Sequence, residues 1–145
     1  MNILILEDGK LMAGDSIGRQ LASLLEEGGH KAHIFDGRLP PGSGVPMTVN
    51  RAAKEVYDII LTHAVTGFVL DLQWFTNPGY GDELWNTIRS PSGIYGLPNG
   101  SKAVVYSKFV TDDNRQAISD RLGIPVDLIF NRYTTAVEEI VNEFT

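Results

Sequence analysis

The strongest constraint on this chain is an alternation. Short, continuous apolar runs of β-favouring residues take turns with segments whose apolar residues recur at helical spacing. Ile3-Leu4-Ile5-Leu6 comes first. A run that is apolar at every position, not at every second one, describes a strand covered on both faces. The next segment places Ile17, Leu21, Leu24 and Leu25 on one face and Arg19, Gln20, Glu26 and Glu27 off it, and Gly28-Gly29 ends it. Ala32 to Phe35 reads as a second strand, and Thr48 as the N-cap of a helix striped by Val49, Ala53, Val56 and Ile60. Phe68-Val69-Leu70 is the third strand and ends at Asp71; after Gly81 a short helix presents Leu84, Trp85 and Ile88. Ala103 to Tyr106 is the fourth strand, followed by a helix carrying Ala117, Ile118 and Leu122. Asp127 to Phe130 is the fifth strand, and Val137, Ile140, Val141 and Phe144 stripe the last helix.

Strands that alternate singly with helices must be joined by crossovers, which produce a parallel sheet with helices on both faces. The expected fold class is therefore α/β: a doubly wound, five-stranded parallel sheet with five helices. A length of 145 residues suits one domain, so residues 1–145 are read as a single unit. The Pro/Gly-rich stretches 39–46 and 90–101 are read as loop insertions, because single strand–helix units continue on both sides.

Composition removes several functions. With no cysteine, disulfides, zinc–thiolate sites and cysteine nucleophiles are excluded, and a reducing compartment is suited. A formal charge of −6 argues against long-range attraction to nucleic acid or an anionic membrane. The apolar start is short, ends at Glu7-Asp8 and lacks a basic n-region, so it is not a signal peptide. No stretch has the length of a membrane span. A cytoplasmic location is expected.

In open parallel sheets the functional crevice lies outside the carboxyl ends of the strands, at the topological switch point. Glu7 and Asp8 follow the first strand, Asp71 the third, Ser107 and Lys108 the fourth, Asn131 and Arg132 the fifth. Three carboxylates brought together raise one another's pKa, and a hard divalent cation such as Mg2+ relieves the repulsion. An aspartate beside Mg2+ can attack phosphorus, and a serine hydroxyl can donate to a phosphoryl oxygen.

At these residues the chain resembles the receiver domains of bacterial two-component response regulators, in an atypical form. The matching pieces are Ile3-Leu4-Ile5-Leu6-Glu7-Asp8, Val69-Leu70-Asp71-Leu72, Gly81-Asp82-Glu83-Leu84 leading to Ile88-Arg89, and Val104-Val105-Tyr106-Ser107. The resemblance implies a flavodoxin-like, three-layer sandwich. It implies Glu7 and Asp8 as the acidic pair for Mg2+, Asp71 as a third metal ligand and phospho-acceptor, the Gln73 carbonyl as a further ligand, and Ser107 as the hydroxyl that responds to the phosphoryl group. It further implies no enzymatic turnover beyond slow self-dephosphorylation. The implied partners are a histidine kinase or phosphotransfer protein and a downstream protein docking on the face of the fourth helix, fifth strand and fifth helix, with homodimer formation allowed. Because the chain reaches Thr145 directly after the last helix, a stand-alone domain without a DNA-binding module is expected.

The sequence departs from the family where receivers carry a lysine followed by proline after the fifth strand; here stand Asn131 and Arg132. The loop after Asp71 is about two residues longer than usual, which displaces Pro78. Lys108 takes a position that is normally small. Lys108 or Arg132 is therefore the candidate for the missing cation, and Gln73 and Phe109 lie where receivers tune hydrolysis.

Plain structural readings stand beside these. Asp71 could serve as an Asx-turn residue, Ser107 as an ordinary post-strand serine, and Glu7-Asp8-Gly9 as a turn before a helix. Trp74 and Phe75 read as loop anchors and Trp85 as core. His30 and His33 have a loose metal-like spacing but too few companions for a metal site. A flavin site would want a hydroxyl- and Gly-rich loop where Glu7-Asp8 stands, and an Asp-x-Asp phosphatase would need an acid where Gln73 stands. The rival that survives is a pseudo-receiver, which keeps the fold and binds a protein partner without phosphorylation.

Overall fold

Apolar residues at successive strand positions point to opposite faces of a sheet, so each continuous run supplies two cores. In the computed structural model, which describes residues 1–9, 17–41, 43–75, 77, 79–90 and 95–145, this is how the runs are used. Strands β1 (Asn2–Leu6), β2 (Lys31–Phe35), β3 (Gly67–Leu70), β4 (Lys102–Ser107) and β5 (Ile129–Asn131) form one parallel sheet in the order β2-β1-β3-β4-β5. They alternate with helices α1 (Ile17–Glu27), α2 (Val49–His63), α3 (Tyr80–Arg89), α4 (Arg115–Leu122) and α5 (Val137–Asn142).

Ile3, Ile5, Val69, Val104 and Tyr106 face one side and pack with Leu21 and Leu25 of α1 and Ile140 of α5. Leu4, Leu6, Phe68, Leu70 and Val105 face the other and pack with Val56, Ile60, Leu84, Trp85, Ile88 and Ile118 from α2, α3 and α4. Each such aliphatic side chain, fully buried, contributes about 1.5–3 kcal/mol. The result is a three-layer sandwich of the expected class. Among the described residues, no helix is long and apolar enough to cross a membrane.

The helix signals read from the sequence have structural counterparts. The Thr48 hydroxyl accepts the backbone N–H of Arg51 at 3.2 Å and caps α2. Differences lie toward the carboxyl end. Val126–Leu128 forms a short 3-10 helix after Pro125, closed by the Leu128 N–H donating to the Pro125 carbonyl at 2.9 Å, so β5 begins at Ile129, not at Asp127. Ala117 is exposed, because the short α4 turns only Ile118 and Leu122 inward. α5 ends at Asn142, yet Phe144 still reaches the core. Pro78 and residues 91–94 of the second insertion lie outside the described residues.

Candidate functional site: the carboxyl ends of the central strands

From β1 the chain passes to β2 on one side, and the crossover from β2 then returns past β1 to β3 on the other, so the switch point falls between β1 and β3. Leu6 pairs with Leu70, which brings Glu7 and Asp71 out of the sheet side by side; the Asp71 N–H donates to the Leu6 carbonyl at 2.9 Å and the Glu7 N–H to the Phe35 carbonyl at 3.2 Å. Beneath Asp71, the first turn of α3 comes so close that a Cβ on Gly81 would press on the Asp71 carbonyl oxygen and lie 2.7 Å from that of Leu72. Only glycine lets the helix start there, and the Gly81 N–H donates to the Leu72 carbonyl at 3.1 Å.

Each acid is held differently. Glu7 is buried, and its carboxylate accepts the backbone N–H of Gly18 in the first turn of α1. A Cβ on Gly18 would sit 2.6 Å from Glu7 Oε2, so glycine makes room for this contact too. Asp8 Oδ2 accepts the backbone N–H of Phe75 at 2.7 Å, with Phe75 in the left-handed region at φ 53°. The Asp8 carbonyl is gripped by Arg38 through Nη2 at 2.7 Å and Nε at 3.2 Å, and the Arg38 guanidinium lies 4.9 Å from the centre of the Phe75 ring. Trp74 anchors the loop between them. It is fully buried, donates its indole N–H to the Asp71 carbonyl at 2.8 Å and stacks on Tyr80 at 5.2 Å.

Asp71 itself is buried, and Arg132 reaches it from the end of β5. Arg132 Nη2 lies 3.4 Å from Asp71 Oδ2, and Nη1 lies 3.8 Å from Glu7 Oε1. Two buried atoms of this cluster, Asp71 Oδ1 and Arg132 Nε, have no hydrogen-bond partner. Burial pushes the Asp71 carboxyl above its ordinary pKa; Arg132 and the Ser107 hydroxyl pull it down, Asp8 pushes it up, and the Leu72 N–H pulls it down. Burial likewise raises Glu7, opposed by Arg132 and reinforced by Asp71 and Asp8. In both cases desolvation outweighs the guanidinium, which fits contacts longer than the 2.7–2.9 Å or so of a strong charge-assisted hydrogen bond.

These groups line a pocket of about 360 Å³ formed by Glu7, Asp8, Gly9, Asp71, Gln73, Lys108, Arg132 and Tyr133. A larger and shallower groove of about 1040 Å³ lies along α2 and α3, away from the acids; its Asp82 is already held by Arg121 at 2.5 Å. The smaller pocket is the candidate site because titratable groups of both signs converge there.

Glu7, Asp8, Asp71, Gln73 and Lys108 are thus brought together, and Arg132 joins them. Ser107 lies just beneath, fully buried; its hydroxyl accepts the Phe109 N–H at 3.3 Å and its proximity lowers the Asp71 carboxyl pKa. Asn131 is not brought to the pocket. Its Nδ2 donates to the Val110 carbonyl at 2.6 Å, and its Oδ1 accepts the N–H groups of Tyr133 at 2.8 Å and Thr134 at 3.1 Å. Phe109 is exposed and does not line the pocket. Arg38 is the residue that sequence reasoning missed. Its signal was available, since Asp36-Gly37-Arg38 directly follows β2, the one strand end left unread.

All the donors that a cation would meet here are oxygens, the chemistry of a hard divalent ion, and the unpartnered Asp71 Oδ1 is a free acceptor for one. Among the described residues, however, no group of three or more His, Asp or Glu side chains stands ready-made to hold a metal ion. The guanidinium of Arg132 stands between Glu7 and Asp71 instead.

The chain is similar to two solved receiver-domain structures. One is a response regulator receiver domain protein (CheY-like) from Methanospirillum hungatei JF-1, at 14% identity and a TM-score of 0.62, covering 99% of this chain and 89% of that one. The other is the BeF3-activated DrrB receiver domain, at 12% identity and a TM-score of 0.56, covering 99% and 92%. No family model matches the chain, and no curated protein matches it significantly. The chain therefore has the fold of CheY-like receiver domains, with the strand order and helix placement that go with it.

Proposed function

We propose that this receiver-fold chain accepts a phosphoryl group on Asp71 in a phosphorelay. The observation that carries the reading is Asp71 Oδ1: buried, without a partner, in a residue that lines a pocket together with Glu7, Asp8, Lys108 and Arg132. One carboxylate oxygen of Asp71 attacks phosphorus, a P–O bond to Asp71 forms, and the bond to the leaving group breaks. The leaving group, a histidine nitrogen of a kinase or phosphotransfer protein or the acetate of acetyl phosphate, departs with the electron pair. Mg2+, held by Glu7, Asp8 and Asp71 with the Gln73 carbonyl as a further ligand, would neutralise charge on the transferring group when bound. Lys108 and Arg132, which line the same pocket, offer positive charge, and Ser107, buried just beneath, would offer its hydroxyl to a phosphoryl oxygen. The chain acts as a signalling domain of the cytoplasm, not as an enzyme with turnover, with slow self-dephosphorylation at most. Its downstream protein partner docks on the face of α4, β5 and α5; neither nucleic acid nor membrane is a partner, and a homodimer is compatible with this use.

The test is intact-mass measurement after treatment with acetyl phosphate, with and without Mg2+. The expected outcome is a mass gain of one phosphoryl group that requires Mg2+ and vanishes in Asp71→Asn. No gain, or a gain retained in Asp71→Asn, rejects the reading. One observation favours a second reading, a pseudo-receiver that binds protein without phosphorylation: Arg132 already pairs with two of the three acids. That reading predicts partner binding that is identical in wild type and Asp71→Asn.

A further inference from the structure

The fold and the reading of Asp71 leave one arrangement unexplained: an arginine lies in the middle of the acids that would bind a metal. We infer that Arg132 is a displaceable internal counterion, which closes the Glu7–Asp71 pair against divalent cations and must swing away for one to bind. This inference rests on the proposed role of Asp71 and adds a regulatory step to it.

Three observations carry it. First, Arg132 bridges the two most buried acids of the site, with Nη2 3.4 Å from Asp71 and Nη1 3.8 Å from Glu7. Two carboxylates this close and this buried need a positive charge, and the guanidinium is the one that contacts both. Second, the bridge is loosely made. Both distances exceed those of strong charge-assisted bonds, and a donor (Arg132 Nε) and an acceptor (Asp71 Oδ1) of the same cluster are buried without partners. A pairing with unmade bonds on both sides yields more readily to a competitor than a bidentate one. Third, the guanidinium has a second support that does not involve the acids. Nη2 donates to the Tyr106 carbonyl at 3.3 Å, and the guanidinium carbon lies 5.7 Å from the centre of the Tyr106 ring. The Arg132 backbone N–H donates to the Ser107 carbonyl at 3.2 Å, so the side chain swings from a fixed root.

Displacement would be felt beyond the pocket. The Tyr106 hydroxyl donates to the Thr135 carbonyl at 2.7 Å, in the turn that leads into α5. A guanidinium that shifts over the Tyr106 ring alters the contact that ties this turn to β4. Cation binding is thereby linked to the segment between β5 and α5.

The test is Mg2+ titration by calorimetry of wild type, Arg132→Ala, Arg132→Lys and Arg51→Ala. Arg51 is an exposed residue paired with Glu55 at 3.1 Å on α2, and its removal changes net charge by the same amount. The expected result is a Kd lower by about tenfold or more in Arg132→Ala, by less in Arg132→Lys, and unchanged in Arg51→Ala, in line with the coupling of close charge pairs. Hydrogen exchange should also show faster exchange across residues 132–136 on adding Mg2+ to wild type, and a smaller change in Arg132→Ala. Arg132→Lys keeps the charge, so it preserves the test if Arg132→Ala does not fold. Equal Kd values in wild type and the Arg132 variants overturn the inference, and so does an equal gain in Arg51→Ala. If acetyl phosphate still phosphorylates Asp71 in that event, the phospho-acceptor reading stands alone; if no protein binds Mg2+ and none is phosphorylated, both fail.

Discussion

The two flanks of Asp71 are built from opposite charges and held by opposite means. On the β1 side, Glu7 and Asp8 are fixed by backbone N–H groups, from Gly18 at the start of α1 and from Phe75 in the loop after β3, and Arg38 grips the Asp8 carbonyl. Such donors cannot rotate away, so this flank is preorganised. On the β4–β5 side, Lys108 is exposed with no ion pair among the described residues, and Arg132 makes contacts of 3.4 and 3.8 Å while its Nε finds no partner. The acids form a fixed receptacle and the cations are the adjustable part. Under the proposed role, in which an incoming anion and a metal share the site, that division would leave the negative frame standing while positive charge is redistributed.

Breaking the floor that both flanks share should have the largest effect. Gly81 is where α3 meets the carbonyls of Asp71 and Leu72, and the backbone there cannot give way as a side-chain tip can. Gly81→Ala is expected to destabilise the fold by about 3 kcal/mol, the upper end for overpacking. It should also remove Mg2+-dependent phosphorylation. Urea denaturation and intact mass check the two parts. A variant of wild-type stability would mean that α3 can shift without disturbing Asp71.

The contrast between the flanks also has a pH signature. Glu7 and Asp71 are both raised, by burial first, so in the window above their ordinary values the native state binds more protons than the unfolded chain. Their contribution to stability is therefore full below the unfolded pKa values and is lost as pH rises through the folded ones. His33 runs the other way. Its pKa is lowered, by burial and then by His63 stacked at 4.2 Å, so it loses stability as pH falls through the imidazole range. The useful quantity is thus the difference between wild type and Asp71→Asn, in which His33 cancels. Asp71→Asn should be more stable at neutral pH by roughly 1 kcal/mol, the scale for relieving one poorly paired buried group. That gain should shrink on acidification. Thermal melts across the acidic range measure it; a gain independent of pH would show that Arg132 fully compensates Asp71.

Much of this was legible in the sequence, for a physical reason. Strands buried on both faces cannot hide, since every position must be apolar, and Ile3–Leu6, Phe68–Leu70 and Ala103–Tyr106 say so directly. The start of β5 was misread because Val126-Asp127-Leu128 has a composition that suits either a strand or a tight turn, and Pro125 decided for the turn. In the site, the acids followed from the rule that strand ends converge at the switch point. Candidate cations also followed from that rule, but which of Lys108 and Arg132 makes the contact did not, because it depends on side-chain reach. The tethers of the acid flank were illegible for a deeper reason. The Phe75 and Gly18 donors are backbone groups, and only the path of the loop or helix aims them.

Asn131 gives the smallest expected effect and the finest division of the cation flank. It occupies the place where receivers carry a lysine, next to Arg132, yet its amide is spent on the Val110 carbonyl and on the N–H groups of Tyr133 and Thr134. Those bonds shape the turn into α5, and Asn131 itself does not line the pocket. Asn131→Ala should therefore lower stability by about 1 kcal/mol, the usual net loss for hydrogen bonds of this kind. The rate of Asp71 phosphorylation and the Mg2+ affinity should stay at wild-type values. Chemical denaturation and time-resolved intact mass separate the two readouts. If phosphorylation slows while stability holds, position 131 belongs to the chemistry and the adjustable flank extends one residue further than Arg132. If stability falls alone, positive charge at this edge is supplied from position 132, and the amide beside it serves only to hold the turn from which that arginine reaches inward.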